Sequence, residues 1–584
     1  MYVIFHLFCL PLQKKQMKYA IMKRRIIFIL ALLLSCFGSA YSQPVTIEAD
    51  MANRIELMKP VWAWFGYDEP NYTYMKDGVK LLGELQKLSY TPVFVRTHNL
   101  LTSGDGVAAL KWGSTNAYTE DNKGNPVYNW TIIDKIIDTY VSLGMKPLVE
   151  IGFMPEALST NPQPYRHYWT PNTPYNEIFR GWTYPPKDYN KWRNLIYQWV
   201  KHSVERYGQR EVESWYWEVW NEPDAAYWSG TFEEYCKLYD YAADGLKKAL
   251  PTARVGGPHS TGPSGQNANT FLRNFLTHVT EGTNYATGQK GSPIDYIGFH
   301  AKGAPKIIDG HVRMNIGAQL RNISKGFEAV ADFPALKHLP VIIGESDPEG
   351  CAACSEEYHP ENAYRNGTMY SSYTAATFAR KYELARQWNV NFLGAVSWSF
   401  EFEDQKWFAG FRDLATNGVD KPVLNVFRMF GLMKGDIVQT TSSAPLTAIE
   451  MTQKSVRETA DINALASISI GERTAAIMIW NYHDDDLPAD PAQVTLKISN
   501  LPDIAARKVL LTHYRVDQKF SNSYEVWKAM DKPQNPSKEQ IEILKRSGQL
   551  EMYSSPQYAE IKNNGLEVGF ELPRQGVSLI KLDW

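Results

Sequence analysis

Cysteine is scarce in this chain: there are five in 584 residues, and only Cys236, Cys351 and Cys354 lie beyond the first 42. A structural zinc site needs four ligands, and Cys351-Ala-Ala-Cys354 has only His359 nearby and no second cysteine pair, which argues against metal. The pair reads as a loop-stapling disulfide or as two free thiols, and Cys236 as a small buried hydrophobe. An excess of one charge is also missing. The 61 basic and 63 acidic residues give a net charge of −2, so there is no basic footprint for nucleic acid. The sequence has no internal repeat, low-complexity linker or charge tract. Its longest N-terminal apolar run, Ile26 to Leu34, is too short for a stable membrane span.

What is present is an ordinary globular composition, 44% hydrophobic and 21% charged, over a length that predicts one large domain plus a smaller one. Of eighteen Trp only Trp480, Trp527 and Trp584 lie beyond residue 410, so the aromatic-rich part is the first. Most of these rings must fill core, and a minority are candidates for sugar-stacking platforms. Lys23-Arg24-Arg25 and the apolar run after it have the form of a signal peptide, with Ala40-Tyr41-Ser42 offering small residues before Gln43. The expectation is a signal peptide over residues 1–42 and export to the periplasm or beyond. Leu33-Leu34-Ser35-Cys36 supplies the alternative, a lipoprotein site that leaves Cys36 acylated.

Between residues 60 and 400 short apolar runs alternate with helix-length stretches. The runs are Val61 to Gly66, Val93 to His98, Pro147 to Phe153, Trp215 to Glu222, Arg254 to His259, Tyr296 to His300, Pro340 to Glu345 and Phe392 to Phe400. Several are apolar on both faces, as in a parallel sheet covered by helices, and Lys191 to Tyr207 and Tyr373 to Trp388 are amphipathic. Eight repeats predict a (β/α)8 barrel, an α/β fold, over residues 43–430. The competing doubly wound sheet has no Gly-rich fingerprint after the first strand. Beyond about Leu432 alternating runs such as Ala475 to Trp480, Val494 to Ile498 and Val577 to Lys581 predict a β-sandwich-like accessory domain over residues 431–584. Sparse aromatics there favour a structural buttress over a carbohydrate-binding module.

Polar residues gather at the strand C-termini, where a barrel carries its active site: His98, Asn99, Glu150, Asn221, Glu222, His259, His300, Glu345, Trp398 and Glu401. Singly, each could be a cap or a loop hydrogen-bonder; together they point to one face. Glu222 and Glu345 end the fourth and seventh strands and would face each other across the mouth. Retaining glycoside hydrolysis needs such a pair, one carboxylic acid to protonate the leaving oxygen and one carboxylate to attack the anomeric carbon.

The segment Trp217-Glu218-Val219-Trp220-Asn221-Glu222-Pro223 resembles the acid/base motif of clan A glycosidases, and of glycoside hydrolase family 39 in particular. Gly344-Glu345-Ser346-Asp347 through Cys354, and Ser397-Trp398-Ser399-Phe400-Glu401, resemble bacterial β-xylosidases of that family, over roughly residues 60 to 435. The resemblance implies a retaining exo-β-xylosidase with Glu222 as acid/base and Glu345 as nucleophile. It further implies Asn221 on the sugar 2-hydroxyl, Arg96, His98 and His300 orienting the site with His300 near Glu345, Trp398 under the sugar ring, and Glu401 among the substrate-binding residues. Glu222 is expected to carry a raised pKa and Glu345 to stay ionised. The substrate partner is an oligosaccharide or glycoside, and no cofactor or metal is implied. The alternatives are an arabinosidase or iduronidase of the same family, for which Lys302 beside His300 would be the cation, and a non-catalytic carbohydrate-binding barrel.

Overall fold

A computed structural model describes residues 44–398, 401–502 and 508–584. The expected signal peptide, Cys36, Ser399 and Phe400 lie outside the described residues.

Eight parallel strands close into a barrel: β2 (Trp64–Tyr67), β3 (Phe94–Thr97), β4 (Lys146–Ile151), β5 (Tyr216–Val219), β6 (Arg254–Ser260), β7 (Tyr296–His300), β8 (Pro340–Glu345) and β9 (Asn391–Trp398). Closure is made by β9 against β2, with Val396 opposite Trp64 and Trp398 opposite Gly66. Gly66 is required there, because a Cβ at that position would stand 1.3 Å from the Trp398 ring. A helix follows each strand: α1 (Lys76–Gln86), α2 (Thr131–Ser142), α3 (Tyr189–Tyr207), α4 (Phe232–Ala249), α5 (Gln266–Glu281), α6 (Ile316–Ala331), α7 (Thr368–Trp388) and α8 (Pro422–Leu432). The α3 helix starts where the Asp188 side chain accepts from the Asn190 and Lys191 N–H groups. It buries Trp192, Leu195, Ile196, Trp199 and Val200, one stripe at helical spacing. A Thr231–Glu234 capping box starts α4.

The expected amphipathicity of Tyr373 to Trp388 is not what α7 shows, since it is buried on nearly every face. The C-terminal sheet covers the side that other barrel helices leave to water. Tyr373 packs on Tyr482 with ring centroids 5.8 Å apart, and Arg380 pairs with Asp461 at 3.1 Å.

That sheet has nine strands in the order β15-β14-β17-β12-β11-β10-β1-β13-β16. They are β1 (Val45–Leu57), β10 (Asp436–Ser442), β11 (Asp461–Ser469), β12 (Thr474–Tyr482), β13 (Ala492–Ser499), β14 (Lys508–Val516), β15 (Glu551–Glu560), β16 (Leu566–Leu572) and β17 (Val577–Asp583). The boundary expected at residue 43 is therefore corrected: the first strand belongs to the accessory sheet, antiparallel to β10 and parallel to β13. Val45, Ile47, Ala49 and Met51 alternate into its core, and without them two interior strand edges would lie open. The sheet is one continuous ladder that rolls over on itself. His513 of β14 and Phe570 of β16, from strands near its two ends, sit with ring centroids 4.9 Å apart. Between β14 and β15 lies a helical insertion the alternating pattern gave no sign of, α9 (Ser523–Ala529) and α10 (Lys538–Ser547).

Candidate active site

Asn221 and Glu222 follow β5 on a turn in which Trp220 and Glu222 hold φ of 71° and 44°, left-handed values that cost a non-glycine residue energy and persist only when surroundings impose them. Trp220 Nε1 donates to the Tyr227 carbonyl at 3.0 Å and the Glu222 N–H to the His259 carbonyl at 3.0 Å, which fixes the turn. Glu345 and His300 are the last residues of β8 and β7. An oxygen of Glu222, an oxygen of Glu345 and a ring nitrogen of His300 all lie within 4.8 Å of one another. That spacing suits direct attack by one carboxylate; a water-activating pair stands about 6.5–9.5 Å apart.

Lys302 bridges the two acids, with Nζ 2.5 Å from Glu222 Oε1 and 2.6 Å from Glu345 Oε2. His300 Nδ1 donates to Glu222 Oε1 at 2.9 Å and stands 3.7 Å from Glu345. Its first partner is therefore Glu222, where Glu345 was expected. Burial lowers the His300 pKa to about 4, against the pull of both carboxylates, so the ring is neutral near pH 7. Burial would raise Glu345, but Lys302, His300, Arg96 and His98 together hold it well below the ordinary carboxylate range. Glu222 departs from expectation in the same direction. Burial and Glu345 push it up, yet Lys302 and His300 bring it down to about 2, so in the free protein it is ionised.

Arg96 knits the floor together. Its Nε donates to Glu218 at 2.9 Å, Nη1 to His98 Nε2 at 2.6 Å and to Glu345 at 3.1 Å, and Nη2 to Asn221 Oδ1 at 2.9 Å. His98 Nδ1 in turn pairs with Asp68 at 2.9 Å. Glu218 is buried, which raises its pKa, but Arg96 and His259 lower it to about 2; Glu150 stands farther from Arg96, at 3.7 Å, and burial together with neighbouring Glu218 carries it well above the ordinary value. Among the described residues, donor atoms suited to a cation converge in three groups, Asp68/His98/Glu345, His98/Glu150/Glu218 and Glu222/His300/Glu345. Each is already threaded by Arg96 or Lys302, whose positive charge competes with any ion for the same oxygens.

A cavity of about 540 Å³ opens over Glu222 and Lys302, walled by Trp169, Tyr175, Glu349 and Tyr358. The disulfide between Cys351 and Cys354 lines its rim. A separate small hollow of about 20 Å³ is lined by Asp68, Glu69, His98, Lys111, Trp182 and Tyr227. Glu69 Oε2 and Trp182 Nε1 there are buried without a partner. Burial and neighbouring Asp68 raise Glu69 from 4.5 to about 8.

Trp398 and Glu401 do not sit as expected. Trp398 is wholly covered, with the His98 ring nearly perpendicular at a centroid separation of 5.6 Å and the Arg96 and Arg412 guanidiniums 5.6 and 5.2 Å from its centroid, so it supports the site from beneath these groups. Glu401 turns away from the cavity and accepts from the Gly418 N–H at 3.2 Å. Asp68, Glu69, Lys111 and Glu218 were not singled out from the sequence. Glu218 carried a usable signal, a charge inside the apolar run Trp215 to Val219 that must find a partner. Asp68 and Glu69, directly after β2, gave a weaker one.

The arrangement of two adjacent carboxylates at the C-terminal mouth of a barrel has counterparts in known proteins. The model of glycosyl hydrolases family 39 matches residues 47–556. Over 480 residues, 80% of this chain and 81% of that protein, the sequence is 26% identical to a β-xylosidase of Geobacillus stearothermophilus. Over 547 residues, 89% of this chain and 78% of that protein, it is 24% identical to the α-L-iduronidase of Mus musculus. A monomeric β-xylosidase from Caulobacter crescentus shares the fold with a TM-score of 0.70 at 21% identity, covering 92% of this chain and 99% of that one. With the family match spanning both the barrel and most of the rolled sheet, the chain belongs to glycosyl hydrolase family 39 and is a glycoside hydrolase.

Proposed function

We propose that this enzyme is a retaining exo-β-xylosidase in which Glu345 attacks the anomeric carbon and Glu222 serves as acid and then base. The observation that carries the reading is the Glu222–Glu345 pair held within 4.8 Å, with Glu222 lining a cavity of about 540 Å³. The similarity to a β-xylosidase over four-fifths of the chain supports xylose. Glu345 is ionised by Lys302, His300 and Arg96, as a nucleophile requires. Glu222 must take a proton before it can act, so substrate entry has to draw Lys302 away from it. Arg96 occupies Asn221 Oδ1 and thereby turns the amide N–H toward the position of the sugar 2-hydroxyl. After the leaving group departs, Glu222 as carboxylate removes a proton from the water that opens the glycosyl-enzyme ester.

A second reading is favoured by Lys302 itself. An ammonium between the two acids would pair with a uronic acid carboxylate, and the similarity to an α-L-iduronidase keeps that substrate class in view. Hydrolysis of aryl β-xyloside, α-arabinofuranoside, α-arabinopyranoside and α-iduronide, with product stereochemistry followed by NMR, separates the two. Release of β-xylose first supports the main reading; turnover of the iduronide alone replaces it.

We also infer that the enzyme is exported. The charged and apolar segment before Gln43 and the Cys351–Cys354 pairing both suit an oxidising compartment. Mass analysis of the protein from its native cell would show residues 1–42 removed, or acylated Cys36 at the N-terminus; an intact Met1 or Met22 in the soluble cytosol overturns export.

A further inference from the structure

Beside the catalytic cavity lies a second groove of about 300 Å³. Tyr358 lines both, and Ser355 and Pro171 of the groove directly follow and precede Cys354 and Asn172 of the cavity. The groove thus adjoins the cavity that Glu222 lines, from which a leaving group must depart.

Its lining has the chemistry of a sugar site. Tyr358, 48% exposed, supplies an open aromatic face beside the largely buried Trp407 ring, Gln405 an amide, and Glu357 and Lys406 a charged rim. Ser355 is only 5% exposed, and its Oγ has no hydrogen-bond partner. A buried hydroxyl without a partner costs free energy that a ligand hydroxyl would recover. The groove is also preformed. The Trp407 N–H donates to Gln534 Oε1 at 2.9 Å, Gln534 Nε2 returns a bond to the Trp407 carbonyl at 3.3 Å, and Phe408 packs on Trp527 with centroids 5.0 Å apart. Gln534 and Trp527 come from the helical insertion around α9, so the accessory part of the chain holds this loop in place.

We propose that the groove binds the sugar units of the substrate that lie beyond the departing one, so that the insertion between β14 and β15 makes the enzyme read chain length. The proposal rests on the glycosidase reading of Glu222 and Glu345. Tyr358 would stack on a ring face with Trp407 forming the wall behind it, and Ser355 Oγ and Gln405 would meet its hydroxyls.

The test compares kcat/KM of the full chain for β-1,4-linked xylobiose, xylotriose and xylotetraose with that for an aryl β-xyloside. In the wild type the value should rise with chain length. Trp407→Ala should lower the ratio of tetraose to aryl xyloside by about tenfold or more, and Ser355→Ala, which removes only the hydroxyl, by a smaller factor in the same direction. If Trp407→Ala fails to fold, Ser355→Ala decides. A flat chain-length series in the wild type, or variants that lower all substrates equally or none, overturns the groove while leaving the xylosidase reading intact. A wild type that turns over neither aryl xyloside nor xylo-oligosaccharide overturns that reading, and the groove with it.

Discussion

Lys302 is the residue on which the chemistry turns. It holds Glu222 down to about 2 from an ordinary 4.5, so the ionised form stabilises the fold above pH 4.5 and that contribution is lost as the pH falls through 2. Lys302→Met removes the largest opposing charge and raises Glu222. For an aryl xyloside the alkaline limb of the kcat/KM profile should then move up by about one pH unit or more, each unit being about 1.4 kcal/mol of lost preference for the anion. An unmoved limb would show that Lys302 has already left Glu222 in the free enzyme. If the substrate is instead a uronide, the same variant also loses most of its turnover, because the cation that would pair with the substrate carboxylate is gone. The catalytic pair is tested separately. Glu345→Gly should cut kcat by about 10⁴-fold or more and be partly restored by azide, giving product of inverted configuration. Glu222→Ala should keep fast formation of the glycosyl-enzyme only on aryl glycosides whose leaving group needs no proton. Full activity in either variant discards the assignment.

At the scale of elements, α7 and the loop after β8 carry opposite lessons. On α7, Lys381 is fully buried, its Nζ has no hydrogen-bond partner and lies 3.6 Å from the Phe378 centroid. Burial lowers it from 10.5 to about 7 despite the pull of Asp347. A depressed ammonium withdraws stability as the pH falls from 10.5 through 7, because the folded state must then bury a charge. Lys381→Met should therefore raise Tm most at pH 5 to 6, by on the order of 1–3 °C, with the gain shrinking toward pH 10. A gain independent of pH would mean that the ammonium reaches water. In the loop after β8, Cys351 and Cys354 close a ring of only a few residues, worth about 2 kcal/mol in the chain-entropy account. Since both line the catalytic cavity, reduction should raise KM several-fold with only a small fall in Tm. A large loss of Tm with unchanged KM would assign the bridge to folding alone.

The whole molecule is less divisible than two domains in sequence suggest. Trp480, Tyr482 and Leu579 of the rolled sheet pack in the same hydrophobic cluster as α7 and the barrel. Arg380 of α7 is paired inside with Asp461, which also accepts from Trp480 Nε1 at 2.8 Å. Cutting the chain after Met433 leaves Arg380 without its carboxylate, a loss worth about 3–5 kcal/mol for a buried pair, and uncovers the aromatic face of α7. Removing residues 44–57 instead opens β10 and β13 to edge-to-edge pairing. Both truncations should go to the insoluble fraction in expression trials followed by size-exclusion chromatography. A soluble barrel of residues 58–433 with aryl xyloside activity would show that the sheet is dispensable.

The eight barrel strands and the pair Glu222 and Glu345 were legible in the sequence because both depend on local pattern. Short apolar runs between amphipathic stretches specify strand and helix, and a polar residue at the end of such a run lies at the mouth whatever surrounds it. Three things came only from the tertiary structure. The partner of β1 is nearly 400 residues away at β10, and a solitary alternating strand does not say which sheet it joins. The exposure of Trp398 and Glu401 depended on how the loop after β9 turns and on what covers it. The charge state of Glu222 depended on an ammonium two residues beyond the end of β7, 80 residues away in the chain, and Coulomb energy follows distance in space.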